Sequence, residues 1–139
     1  MATIPVGFAP HVRSSAVTKP WEPIFAHEFE GITRLGLVVG EAHCNSRGFL
    51  HGGVIAALAD NAMGLTLGRF LGGTQGIVTT ALALDYMGSG KPGQWLEIVP
   101  RIVAPDLVKS GKGSAIVDAI ISADGIVIAR ANATFRVLH

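Results

Sequence analysis

One cysteine, Cys44, is all that the 139-residue chain contains, so no disulfide can close within it, and a reducing, cytoplasmic setting is expected. Charge is scarce too, at 15% of residues, against roughly a quarter in ordinary soluble chains. So few solvating groups lead us to expect that further copies of the chain cover part of its surface. The formal net charge is +1, with no block of Lys or Arg. That excludes the electrostatic footprint of a nucleic-acid binder or of a protein drawn to an anionic membrane. No apolar run is unbroken at membrane-spanning length: the longest, residues 54–71, holds Asp60, Asn61 and Arg69, each costly in hydrocarbon. Residues 1–9 lack a cationic start and carry Pro5 and Gly7 where a signal peptide needs a continuous apolar stretch, so no export signal is expected. The histidines and Cys44 show no ligand spacing, and no metal is expected.

What is present suits a single domain, since 49% of residues are hydrophobic and the length matches one core. Residues 1–23 are interrupted by Pro5, Pro10, Pro20 and Pro23, which predicts an irregular, extended arm before a domain spanning residues 24–139. Residues 24–43 read as two strands around Gly31, the second over residues 32–43, with His27 and His43 on strands. A loop of residues 44–50 leads to His51, after which residues 52–70 have the length and Ala/Leu content of a helix stopped by Gly72-Gly73. Four further strands are expected over residues 76–86, 95–103, 113–122 and 126–137, the last two joined by the hairpin signal Asp124-Gly125. This order is α+β: one long helix against an antiparallel sheet of about five to six strands.

The helix carries the chemistry. Ile55, Leu58, Ala62 and Leu65 form an apolar stripe, and Ala56, Asp60, Gly64 and Gly68 a second stripe at spacing four, so protein is expected on nearly every side. A carboxylate on such a helix needs a reason. Asp60 is either a general base or nucleophile, or a structural partner of a neighbouring backbone or arginine, and its residue type fits both. Gly52 and Gly53 stand where the first free N–H groups of a helix point outward, a site for a carbonyl oxygen or oxyanion or simply a tight turn. Seven residues separate Gly53 from Asp60, roughly 10 Å along a helix. One carbonyl cannot touch both in one subunit, so joint action requires two chains related by a two-fold axis. His51 at the helix entrance is read as orienting and hydrogen-bonding, and Cys44 as an inert thiol.

The ordered set Asn45, Gly48, His51-Gly52-Gly53, Ala57, Asp60 and Thr79, with Gly111-Lys112, Asp124-Gly125 and residues 129–135 further on, resembles the hotdog-fold acyl-CoA thioesterases of the phenylacetate-pathway (PaaI-like) type. The resemblance runs from about residue 35 to residue 137. It implies a curved sheet wrapped around one helix, a homodimer often paired into a homotetramer, and active sites between subunits. It further implies hydrolysis of an acyl-CoA to free acid and coenzyme A, with coenzyme A as part of the substrate and no other cofactor. Carried over by position, Asp60 would act on the thioester or activate water, and the Gly53 amide would polarise the carbonyl. Asn45 would place thioester or water, and Thr79 would assist Asp60, with Thr80 as the fallback. His51 and Gly52 would shape the substrate-binding loop.

Strict alternation would put Thr79, Ala81, Ala83 and Asp85 on one face of their strand and Thr80, Leu82, Leu84 and Tyr86 on the other. After Tyr86 the chain departs from the family's arginine and proline with residues 87–93. Lys91, Arg101, Lys109 and Lys112 are the cations on offer for coenzyme A phosphates. Two other readings stand beside hydrolysis. One is a hotdog hydratase or dehydratase, which would pair a histidine with an acidic residue. The other is a non-catalytic acyl-CoA-binding module, which would want an effector segment.

Overall fold

The computed structural model describes residues 3–73, 76–110 and 114–138. The helix α1, Gly52–Phe70, has its start and stop written in side chains and glycines. His51 is its N-cap and accepts the Gly53 N–H on Nδ1 at 2.8 Å, satisfying one of the donors a helix start leaves open. At the other end Gly72 and Gly73 take φ of 85° and 74°. Their N–H groups bond back to the carbonyls of Arg69 at 3.0 Å and Gly68 at 2.8 Å, the two bonds of a Schellman stop.

Among the described residues, seven antiparallel strands form one sheet against this helix: β1 Ala9–Pro10, β2 Phe25–Phe29, β3 Ile32–Val38, β4 Ile77–Tyr86, β5 Trp95–Val103, β6 Ser114–Ala123 and β7 Ile126–Val137. Their spatial order is β1-β2-β3-β5-β6-β7-β4. Two turns have the left-handed pairs that suit a right-twisted hairpin, Glu30-Gly31 and Asp124-Gly125. Asp124 does more, its carboxylate accepting the Trp95 N–H at 2.7 Å and tying the turn to the neighbouring strand. Leu58, Ala59, Ala62, Met63 and Leu67 of α1 meet Leu35, Leu37, Leu96, Ile98, Val117, Ile121 and Phe135 of the sheet in the core. Each large side chain buried there contributes on the order of 1.5–3 kcal/mol.

Departures from expectation are local. The sheet gains a two-residue strand, β1, because the arm pairs with β2 (Ala9 with Ala26, Pro10 with Phe25). The strand expected to reach His43 ends at Val38, and Glu41–His43 is a single 3-10 turn. His43 is buried there: its Nδ1 accepts the Gly40 N–H at 2.8 Å, leaving Nε2 to donate to the Trp21 carbonyl at 2.9 Å. The connection after β5 holds a short helix, α2 Pro105–Lys109, with proline at the position where a missing N–H costs nothing. Within a single chain, protein does not close around α1. Its Asp60, Gly64, Leu65 and Gly68 are only half-buried and Asn61 is exposed.

Candidate functional site

Asp60 sits near the middle of α1 and faces β4, where the Thr79 hydroxyl donates to its Oδ1 at 2.7 Å. Thr80 does not compete: its hydroxyl donates to the Thr134 carbonyl at 3.1 Å. A bulge explains both. β4 pairs with β7 as Thr79 with Phe135 and then Ala81 with Thr134, so Thr80 is the extra residue and alternation changes phase there. The face turned to the helix is therefore Ile77 and Thr79 before the bulge, then Leu84 and Tyr86 after it. The single-phase alternation expected for this strand fails beyond Thr80.

The change of phase delivers a residue that sequence reasoning missed. Tyr86 donates its hydroxyl to the Gly52 carbonyl at 2.6 Å, pinning the helix entrance to β4. Burial pushes its phenol above the ordinary tyrosine range, which keeps the donor protonated. Periodicity alone could not find it, because a bulge leaves no mark in a strand of β-favouring residues.

At the entrance itself the two glycines differ. The Gly53 N–H is taken by His51, whereas the Gly52 N–H has no hydrogen-bond partner among the described residues. Of the two amides, that of Gly52 is the one left without a bond. Gly53 instead permits the cap, since a Cβ there would stand 2.9 Å from the His51 ring. Asn45, in the loop before, accepts the N–H groups of Arg47 at 2.9 Å and Phe49 at 3.2 Å on Oδ1, which builds the loop. Its Nδ2 has no partner among the described residues. Asn45, Cys44, Gly48 and Pro92 line one hollow. Asp60 and Thr79 line another, a cavity of about 530 Å³ that Phe135 and the arm help to wall. The Asn45 loop and the Asp60 carboxylate thus open in different places.

The expected phosphate-binding cations are scattered. Lys91 lies in the exposed turn beside Pro92, near the Asn45 hollow. Arg101 is paired with Asp118 at 3.0 Å, and Lys109 rests over the Phe70 ring at 5.5 Å. Lys112, with Gly111, lies outside the described residues. Cys44 is half-buried and donates its thiol to the Gly40 carbonyl at 3.3 Å; burial, with Glu41 close by, raises it above the usual thiol range. No helix of the described residues is long and apolar enough to cross a membrane.

One long helix packed on a curved antiparallel sheet defines the hotdog class. The thioesterase superfamily model matches residues 47–129. PA0474 of Pseudomonas aeruginosa, whose name proposes an esterase, is 31% identical over 137 residues, 98% of each chain. The smu.793 protein of Streptococcus mutans, solved bound to acetyl CoA, superposes with a TM-score of 0.70 at 28% identity, covering 85% of this chain and 90% of that one. The Escherichia coli PaaI protein of the phenylacetic acid degradation operon superposes at 0.75 with 20% identity, over 90% and 86% of the two chains. The chain belongs to the thioesterase superfamily, and its reaction class is thioester hydrolysis.

Proposed function

We propose that this enzyme hydrolyses acyl-CoA thioesters to free acid and coenzyme A, at two equivalent sites shared between the chains of a homodimer. The observation that carries the reading is the Asp60 carboxylate, held by Thr79 and opening on a cavity beside the helix. The acyl-CoA assignment draws further support from the acetyl CoA bound to the Streptococcus mutans relative.

In this reading the thioester carbonyl lies on the Gly52 N–H, which polarises it and holds the oxyanion of the tetrahedral intermediate. Asp60 either takes a proton from the attacking water and passes it to the departing coenzyme A sulfur, or attacks the carbonyl itself, expelling a thiolate that takes its proton from solvent and forming an anhydride that water then opens. The spare Nδ2 of Asn45 is a second donor for the thioester or the water, and Lys91 beside that loop is the cation for the nucleotide end. Gly52 and Asp60 are eight residues apart, roughly 12 Å along a helix. Gly52 and Asn45 of one chain therefore serve a carbonyl that meets Asp60 of the other. The edge strand β4 suits such a pairing, being ten residues long with Val78, Leu82 and Tyr86 exposed. Exposed Ile116 and Ile120 on the outer face of β6 offer a surface for pairing dimers into a tetramer.

The test is thiol release over short, medium, long-chain and aromatic acyl-CoAs with wild type, Asp60→Ala and Asp60→Asn, beside the mass in solution. Loss of turnover in both variants of a dimer or larger assembly is expected. Full activity in either variant, or a clean monomer that turns over, contradicts the reading.

A further inference from the structure

The N-terminal arm is bolted down at three places. Phe8 packs edge-on against Trp95 at 5.1 Å, the His11 N–H bonds the Ile24 carbonyl at 2.7 Å, and Trp21 accepts from His43. Between these anchors, residues 11–18 pass over the open side of α1. His11, Arg13, Ser14, Ser15 and Thr18 form one wall of the cavity that holds Asp60.

Along its floor the cavity follows Asp60, Gly64 and Gly68, roughly 12 Å of helix at 1.5 Å per residue. Glycine inside a helix is about 1 kcal/mol worse than alanine. The chain's own packing does not require it here: a Cβ at Gly68 would meet nothing within 4 Å, and one at Gly64 would make ordinary contacts of 3.7 Å with Phe135 and 3.8 Å with Ile77. The volume matches a small-molecule site. Its charges are unequal. Arg69, on the same wall as Gly68, is paired with Glu28, whereas Arg13 has no ion-pair partner among the described residues. Asp60, at the other end of the glycine floor, is the only carboxylate on the lining.

We infer that the acyl group runs from Asp60 along Gly64 and Gly68, and that the preferred acyl groups end in a carboxylate that meets the Arg13 guanidinium. This rests on the thioesterase reading above and adds the substrate class. The arm's own hydroxyls are already engaged, Ser14 donating to Glu22 at 2.7 Å and Ser15 bonded to Thr18 at 2.9 Å, and burial holds the His11 imidazole below its usual range, so it remains a neutral neighbour at pH 7.

The probes are suberyl-CoA and octanoyl-CoA, alike in length and differing at the tip. Wild type should favour suberyl-CoA by about tenfold in kcat/KM, the scale of one exposed charge-assisted hydrogen bond. Arg13→Gln should lower that ratio about tenfold, and Arg13→Lys should keep most of it. Gly68→Leu, which fills the groove, should raise KM for both probes at unchanged solution mass. A ratio near one in wild type, a ratio unmoved by Arg13→Gln, or dissociation of the assembly by Gly68→Leu, meaning a second copy occupies the groove, would overturn the inference. If no acyl-CoA is cleaved, or cleavage survives Asp60→Asn, the thioesterase reading itself fails and the inference with it.

Discussion

Gly52→Pro removes one hydrogen from the protein and very little else. Gly52 is the first helical residue of α1, where proline's fixed φ is already helical and its missing N–H breaks no helix bond. The residue before it, His51, has φ −72° and ψ 130°, the extended conformation that proline demands of its predecessor. The nearest atoms to a side chain at this position belong to the Tyr86 ring, at 3.3 Å, close enough to require a shift of a few tenths of an ångström. Stability should therefore change by less than about 1 kcal/mol. Activity should not survive so well. Removal of one oxyanion donor costs about 10²–10³ in kcat, and the Gly53 N–H cannot substitute while His51 holds it at 2.8 Å. The assay is steady-state thiol release on an acyl-CoA that wild type turns over, beside a thermal melt. A variant that melts with wild type and loses kcat supports the assignment. Turnover within threefold of wild type would refute it and return the role to Gly53 or to Asn45.

Thr79→Val deletes the 2.7 Å bond to Asp60 in a half-buried setting, where a bond to a charged group contributes roughly 1.5–3 kcal/mol; kcat should fall at least about tenfold, and Thr79→Ser should recover most of it in the same assay. Thr33→Val should stabilise the fold: the Thr33 hydroxyl is fully buried with no partner among the described residues, and replacing it with a methyl of like shape should gain on the order of 1 kcal/mol, about 3 °C in Tm. Because the Cys44 thiol is raised by burial, less thiolate is present below that value than in a free cysteine; iodoacetamide at pH 7.5 should label Cys44 more slowly than glutathione, and turnover should not track the labelling.

The helix and the later hairpins were legible because local chemistry and global fold agree there. Asp124-Gly125 takes the left-handed turn that its composition announces, and Gly72-Gly73 stops α1 where its periodicity ends. Asp60 is legible as an anomaly, a carboxylate on an apolar helix, and Thr79 by its place in the order of motifs that resembles the family. What escaped notice depends on contacts between distant segments. No local signal marks Thr80 as a bulge among residues that all favour strands, so the facing of Tyr86 does not follow from periodicity. His43 looked like a strand end after a Val-rich run, but the Gly40 N–H and the Trp21 carbonyl, one of them 22 residues away, hold it in a turn. The proline-spaced arm reads as irregular, and only the anchoring of Phe8 on Trp95 and the pairing of β1 with β2 reveal it as a cavity wall. That the Gly53 N–H is engaged and the Gly52 N–H is not depends on a single side-chain bond, which sequence spacing does not encode.

The shared site can be tested by mixing two inactive proteins. In a dimer of one Asp60→Asn chain and one Gly52→Pro chain, a shared geometry places both defects in one site and leaves the other site whole. Unfolding and refolding the variants together at equal amounts makes about half of the dimers mixed, so about a quarter of wild-type turnover should return. If each chain instead holds Asp60 and the Gly52 amide in its own site, every site in the mixture stays broken, and the activity of the mixture will not rise above that of the separate variants.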